Sequence, residues 1–359
     1  MTTSTVRTVG RAAGIAPPNR FERVHAEFDV EQLVDADDLP DVRRLHTQFL
    51  PDNSRSLITH NDSPDVPFRY SINPYRGCEH GCAYCYARPG HEMLGMNAGL
   101  DFETKILVKY DSPDLLRAEL GRDGWQGELI AMSGVTDCYQ PAEREFRLTR
   151  GCLEVMREAR QPVGIISKNA LVTRDLDLLA PLAGENLAHV YISITTLDAE
   201  LARTMEPRTA TPQARLRALR ELSAAGVPVG VMVAPIIPGI NDSEIPAILQ
   251  AARQAGARSA GYQLVRLPLA VRPIFEEWLM RSYPDKAERV FSLIRSTREG
   301  RMNDSEFGGR MIGQGNYAAG IARTFQVFKK KFGLDRSLPP LDSSRFVPPR
   351  ATRGQMRLF

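Results

Sequence analysis

Three cysteines fall inside eight residues, and no other feature restricts this chain as much. The stretch reads Asn73-Pro74-Tyr75-Arg76-Gly77-Cys78-Glu79-His80-Gly81-Cys82-Ala83-Tyr84-Cys85-Tyr86, a C-x3-C-x2-C spacing. Thiolates on one tight loop suit an iron–sulfur cluster, three irons taken by protein sulfur and a fourth left open. Gly77 and Gly81 let such a loop wrap closely and aim backbone amides at sulfide. Three other readings stand beside it. Cys78, Cys82 and Cys85 with His80 would make a Cys3His zinc site, although structural zinc usually takes paired knuckles and no second pair follows. Cys82 and Cys85 alone would make a redox pair, leaving Cys78 without a role. The three would also serve as plain buried thiols.

The remaining cysteines are Cys138 and Cys152, five in all. An odd count, with no secretory pattern in residues 1–10, argues against a disulfide framework and for a reducing, cytoplasmic setting. No apolar run reaches eighteen residues, so no membrane-spanning helix is expected. The 46 Lys and Arg nearly balance 43 Asp and Glu. The average hides a basic end, because residues 329–359 hold eight Lys and Arg against two Asp.

From about residue 70, short β-branched runs alternate with helical patterns. Strands are expected at 127–132, 162–167, 188–194, 227–233 and 260–265. Helices are expected at 143–159, 175–182, 212–225, from the Asn241-Asp242-Ser243 cap to 256, and from 273. Such alternation means βα units and a parallel sheet. About six units are too few for the eight-stranded barrel, so an α/β partial barrel with N- and C-terminal extensions is expected. Chemistry in such folds sits at the C-terminal strand ends. Thr136-Asp137, Lys168-Asn169, Thr195-Thr196 and Arg266 all fall there, with Glu143, Glu206, Arg208 and Asn241 as further rim candidates. The expected divisions are an N-terminal extension over 1–69, disordered in its first twenty residues, a core over 70–282, a helical and Gly-rich region over 283–335, and a basic flexible tail over 336–359.

The C-x3-C-x-Tyr-C motif ahead of such a barrel resembles the radical SAM superfamily over about residues 70–280. Thr136 to Pro141, Pro235 to Gly239 and Asn241-Asp242 resemble its spore photoproduct lyase-related group, and the flanks Asn73-Pro74-Tyr75 and Ala87 to Glu92 an uncharacterised branch of it. The resemblance implies a partial (β/α)6 barrel of the radical SAM type and two cofactors, a 4Fe–4S cluster and S-adenosylmethionine. It implies reductive cleavage of the latter to a 5′-deoxyadenosyl radical that takes hydrogen from a substrate, with DNA repair or modification one option. A non-enzymatic iron–sulfur or zinc protein that binds a partner is the alternative.

Carried over residue by residue, Cys78, Cys82 and Cys85 would ligate the cluster. Tyr84 would lie against the adenine, Lys168 would neutralise the methionine carboxylate, Ser193 would approach the cofactor, and Asp137 would reach a ribose hydroxyl. Photoproduct lyases keep a cysteine near the position of Ser133 or Gly134 as hydrogen donor; here Cys138 comes a few residues later and is either the candidate for that catalytic role or a buried inert thiol. Cys152 lies in an expected helix and reads as packing. A reductant such as flavodoxin or ferredoxin is implied as partner. The final residues, Gln355 to Phe359, resemble the short peptide by which bacterial repair proteins dock on the DNA sliding clamp.

Overall fold

A computed structural model describes residues 10–21 and 46–350. Its strands are β1 (Gln48–Pro51), β2 (Thr59–His60), β3 (Tyr70–Ile72), β4 (Tyr75–Arg76), β5 (Lys105–Val108), β6 (Ile130–Met132), β7 (Val163–Ser167), β8 (Ala188–Ser193), β9 (Val229–Ile236) and β10 (Ser259–Leu264). The helices are α1 (Leu100–Thr104), α2 (Ser112–Leu120), α3 (Glu143–Phe146), α4 (Leu148–Ala159), α5 (Leu176–Gly184), α6 (Ala199–Met205), α7 (Pro212–Ala224), α8 (Ile245–Gln254), α9 (Val271–Ser282), α10 (Pro284–Ser296), α11 (Gly309–Ile312) and α12 (Gly315–Lys331). Among the described residues no helix is long and apolar enough to cross a membrane.

The main sheet runs β10-β9-β8-β7-β6-β3-β2. Every pairing from β3 to β10 is parallel, and only β2 on β3 is antiparallel. Each parallel strand lies beside the next in sequence, the winding of a barrel wall. β3 and β10 do not pair, so the wall stays open.

Alternation along the strands builds two different faces. Val163, Ile165, Val190, Ile192, Val229, Val231 and Val233 are buried in one large core with Leu153, Leu179, Leu219 and Leu249 of the helices. The opposite face carries Ile166, Ser193, Met232, Ala234 and Gln263, which line a cavity. Gly230 stands in that face because a Cβ there would come within 2.2 Å of the Tyr191 ring. A second core of Leu201, Met205, Ile237, Phe275 and Trp278 includes Cys82, Ala83 and Tyr84.

Several expectations need correction. The 143–159 helix is two, broken at Arg147, whose φ of 53° ends α3. Asn241 does not cap α8; its amide group instead accepts from Ile237 N and donates to Thr195 O and Pro235 O. The expected disorder of the first twenty residues does not hold over its described part: Ala12, Ala13 and Asn19 are buried. Ala13 N donates to Glu103 at 3.1 Å and Asn19 to Glu92 O at 2.9 Å. The tail beyond 336 is fastened as far as it is described, with Asp342 N bonded to Asn186 O and Val347 N to Ala159 O. An unforeseen insertion, β4 to α2, adds a small sheet ordered β1-β5-β4 beside the cysteine loop.

Candidate functional site

Residues 77–86 form a loop that the chain grips through its backbone. Gly77 and Gly81 have φ of 80° and 63°, left-handed values that glycine adopts without strain. Cys78 N donates to Phe102 O at 2.9 Å and Ala83 N to Met205 O at 3.0 Å. Gln140 clasps the start of the loop, accepting from Glu79 N at 2.9 Å and donating to Gly77 O at 3.1 Å. Arg88, fully buried, donates to Gly81 O, Cys82 O, Ala98 O and Gly99 O and pairs with Glu103 at 2.5 Å. A buried arginine is tolerable only with such complete pairing.

Cys78, Cys82 and Cys85 line one cavity of about 170 Å³ together with Tyr84, Asp137, Lys168 and Ser193. All seven expected ligand and cofactor residues therefore meet. The register explains part of it: Ser167 pairs with Ile192, so the next residues, Lys168 and Ser193, face the same space. All five cysteines are free thiols. Burial pushes the Cys78 thiol up to about 12 and raises Cys82 and Cys85, each further lifted by a neighbouring cysteine or carboxylate. Thiolates gathered there need a cationic partner, which iron in a cluster supplies. Among the described residues no three His, Cys, Asp or Glu converge on one ion. His80 is engaged at both ring nitrogens, with Asn169 at 3.1 Å and Asp137 at 3.6 Å. The three thiols suit an iron–sulfur cluster, while His80 Nε2 already lies against the Asn169 side chain.

Some cavity residues already hold protein partners. The Asp137 carboxylate accepts from Tyr139 N, Ser167 Oγ and Lys168 N at 2.9, 2.8 and 2.7 Å. It ties the ends of two strands together and stands beside His80. The Tyr84 hydroxyl donates to buried Glu206. Its ring carries the Lys168 ammonium 5.8 Å from the centroid. Lys168 makes no ion pair with a carboxylate among the described residues, so its charge faces the cavity unspent.

Cys138 is not brought to the cavity. It is wholly buried in the main core, its N–H on Ser133 Oγ and its carbonyl accepting from Thr149. The candidate donor is corrected to a packing residue, because Ser133 turns the chain at φ 72° and sends the later thiol inward. Cys152 is in the same core, as expected. Glu143 is no rim residue either: fully buried, it accepts from Tyr75, Thr149 N and Arg174. Glu206 is buried against Arg215, while Arg208 pairs with Glu79 at 2.7 Å. Sequence reasoning missed Arg88, Glu103, Gln140 and Arg215, which have no local spacing to betray them.

On the outer side, Tyr86 is 45% exposed and Val135 54% exposed at the cavity mouth. Arg266 Nε is buried and makes no hydrogen bond; Arg310 beside it is paired with Asp65. Gln355 to Phe359 lie outside the described residues.

Comparison with known proteins agrees with this geometry. The sequence model of the Radical SAM superfamily matches residues 72–252. An uncharacterised protein of Mycobacterium tuberculosis is 39% identical over 232 residues, covering 64% of this chain and 68% of that protein. One from Methanocaldococcus jannaschii is 30% identical over 222 residues, covering 62% and 79%. Spore photoproduct lyase complexed with dinucleoside spore photoproduct superposes with a TM-score of 0.57 at 16% identity, covering 79% of each chain. A mutant of that enzyme with bound AdoMet and the same dinucleoside gives 0.56 at 16% identity over 79% and 78%. These likenesses are of fold.

Proposed function

The chain belongs to the radical SAM superfamily, whose enzymes use a 4Fe–4S cluster and S-adenosylmethionine, and on that premise we propose how its own residues serve the reaction. Cys78, Cys82 and Cys85 take three irons. Lys168 pairs with the carboxylate of S-adenosylmethionine, Ser193 bounds its site on the next strand, and Tyr84 lies against the adenine. Asp137, whose carboxylate takes three protein donors, ties the loop to the β7 end and keeps an acceptor position on Oδ2 for a ribose hydroxyl. The chemistry supplied by the bound pair is one-electron reductive cleavage of the sulfonium and hydrogen abstraction by the resulting 5′-deoxyadenosyl radical. Buried walls keep water from that step. The catalytic unit is residues 70–282. The observation that carries the reading is the meeting of three free thiols and an unpaired Lys168 in one cavity.

The substrate we propose is DNA, in a repair or modification reaction. Three features support it: the fold shared with an enzyme that binds a dinucleoside photoproduct, exposed Tyr86 beside cationic Arg266 at the mouth, and the clamp-like Gln355 to Phe359. Stacking rings with cations are what nucleic acids meet in binding grooves. The reaction is not a copy of photoproduct repair through a loop thiol, since Cys138 is buried in the core. A flavodoxin or ferredoxin supplies the electron, in a cytoplasm that keeps the five thiols free.

Anaerobic reconstitution tests the reading. It should give about four irons per chain and release 5′-deoxyadenosine under dithionite. One zinc and no cleavage would refute it. Removing Gln355 to Phe359 should abolish clamp binding and leave cleavage unchanged; a full-length chain that never binds the clamp refutes that partner.

A further inference from the structure

Glu206 and Arg215 form an ion pair with almost no solvent exposure, on the far side of Tyr84 from the cavity. All five Arg215 N–H groups are used, and three donors reach Glu206. Glu206 Oε1 accepts from the Tyr84 and Thr195 hydroxyls, and Oε2 from Arg215 Nη2. Arg215 also donates to Ala210 O at 2.8 Å, Thr209 Oγ1 at 2.6 Å, Ser193 O at 3.1 Å and Thr195 Oγ1 at 3.3 Å. Tyr84 is the hinge of the arrangement: its hydroxyl touches Glu206 and its face carries Lys168.

A buried carboxylate without a counter-charge recruits any cation within reach. Lys168 is such a cation, an ammonium on a flexible four-carbon stem. Its charge already acts on Glu206. Arg215, with a planar fork and four further acceptors, neutralises Glu206 and is too fixed to leave. We propose that Arg215 is a positioning residue: by neutralising Glu206 it keeps the Lys168 ammonium free for the carboxylate of S-adenosylmethionine. The inference rests on the role given to Lys168 above.

The test uses the full-length chain with its cluster reconstituted, and reads iron content and the dissociation constant of S-adenosylmethionine by anaerobic equilibrium dialysis. Lys168→Ala should weaken binding about tenfold. Arg215→Met should do the same at unchanged iron content, because Lys168 turns to Glu206. In a Lys168→Ala background Arg215→Met should add less than about twofold, a non-additivity that a merely structural role would not produce. Glu206→Gln with Arg215→Met should restore affinity to within about twofold. If Lys168→Ala has no effect, the role of Lys168 itself fails. If Lys168→Ala weakens binding but Arg215→Met does not, or if the two losses add, the inference is overturned and Lys168 keeps its role. Should Arg215→Met not fold, Glu206→Gln carries the test: with no competing carboxylate, affinity stays within about twofold of wild type, and a tenfold loss overturns the proposal.

Discussion

The two walls of the cavity are built on opposite principles. On the inner wall, the cysteine loop, Asp137, His80 and Tyr84 have their polar atoms matched before any ligand arrives. On the outer wall, Tyr86 and Val135 are open to solvent, and Arg266, near Tyr86 but outside the cavity lining, keeps a buried Nε without a partner. A wall that holds a fixed cofactor gains from rigidity, since geometry held in advance costs nothing at the moment of reaction. A wall that receives a varying macromolecule gains from valences left open. Under the function proposed above, the difference would put the shared chemistry on the inside and the particular substrate on the outside.

The most severe way to break the inner wall is to remove a ligand. Cys78→Ala, Cys82→Ala and Cys85→Ala should each abolish the reconstituted cluster, while Cys152→Ala keeps it. Iron per chain and the visible absorption of the cluster measure this; equal loss from all four would erase the distinction between loop and core thiols. Next comes the brace beneath the loop. Arg88→Met strands Glu103 as an uncompensated buried carboxylate and should cost about 3–5 kcal/mol, read from urea unfolding. Arg88→Met combined with Glu103→Gln should recover most of it. A cost within the range of a surface substitution would mean that the loop stands without its brace.

How much of this was legible follows the same division. The cysteine loop could be read because its ligands are local, seven residues apart at most. The barrel wall could be read because β-branched alternation records which face packs on helices. Arg88 with Glu103 and Glu206 with Arg215 could not, because a charged residue in sequence looks solvated until its partner is placed. Gly10, Ala12, Ala13 and Gly14 misled for a related reason. Their small side chains suggest low complexity, yet a Cβ at Gly10 would lie 2.7 Å from Glu103 and one at Gly14 2.4 Å from Glu277. They are small because the space beside the loop is full. Cys138 misled because one turn at Ser133 decides between cavity and core, and no propensity records that turn.

The outer wall is probed more gently. Arg266→Ala should leave cofactor cleavage without substrate unchanged. It should weaken oligonucleotide binding and reduce the slope of log affinity on log salt by about one, as loss of one phosphate contact does. An unchanged salt slope would remove Arg266 from the DNA surface. If cofactor affinity fell as well, the two walls would not be separable.

The smallest effect lies on the floor between the walls. His189 faces the barrel interior beside Tyr191, with ring centroids 5.8 Å apart, and its Nδ1 is buried without a partner. Burial holds its pKa below the ordinary value of 6.5. The folded chain therefore keeps His189 neutral where the unfolded chain takes up a proton. Stability is full above the unfolded value and is lost as pH falls through it, until the folded value is reached. The slope from this one group is at most about 1.4 kcal/mol per pH unit. His189→Gln should flatten the acid side of a stability profile by no more than that, measured as urea midpoints from about pH 7.5 to 5. Buried His91 shifts the same way and leaves a residual slope. A variant that steepens the profile would mean that the imidazolium is welcomed in the floor, and that the floor, like the outer wall, holds an unmet polar demand.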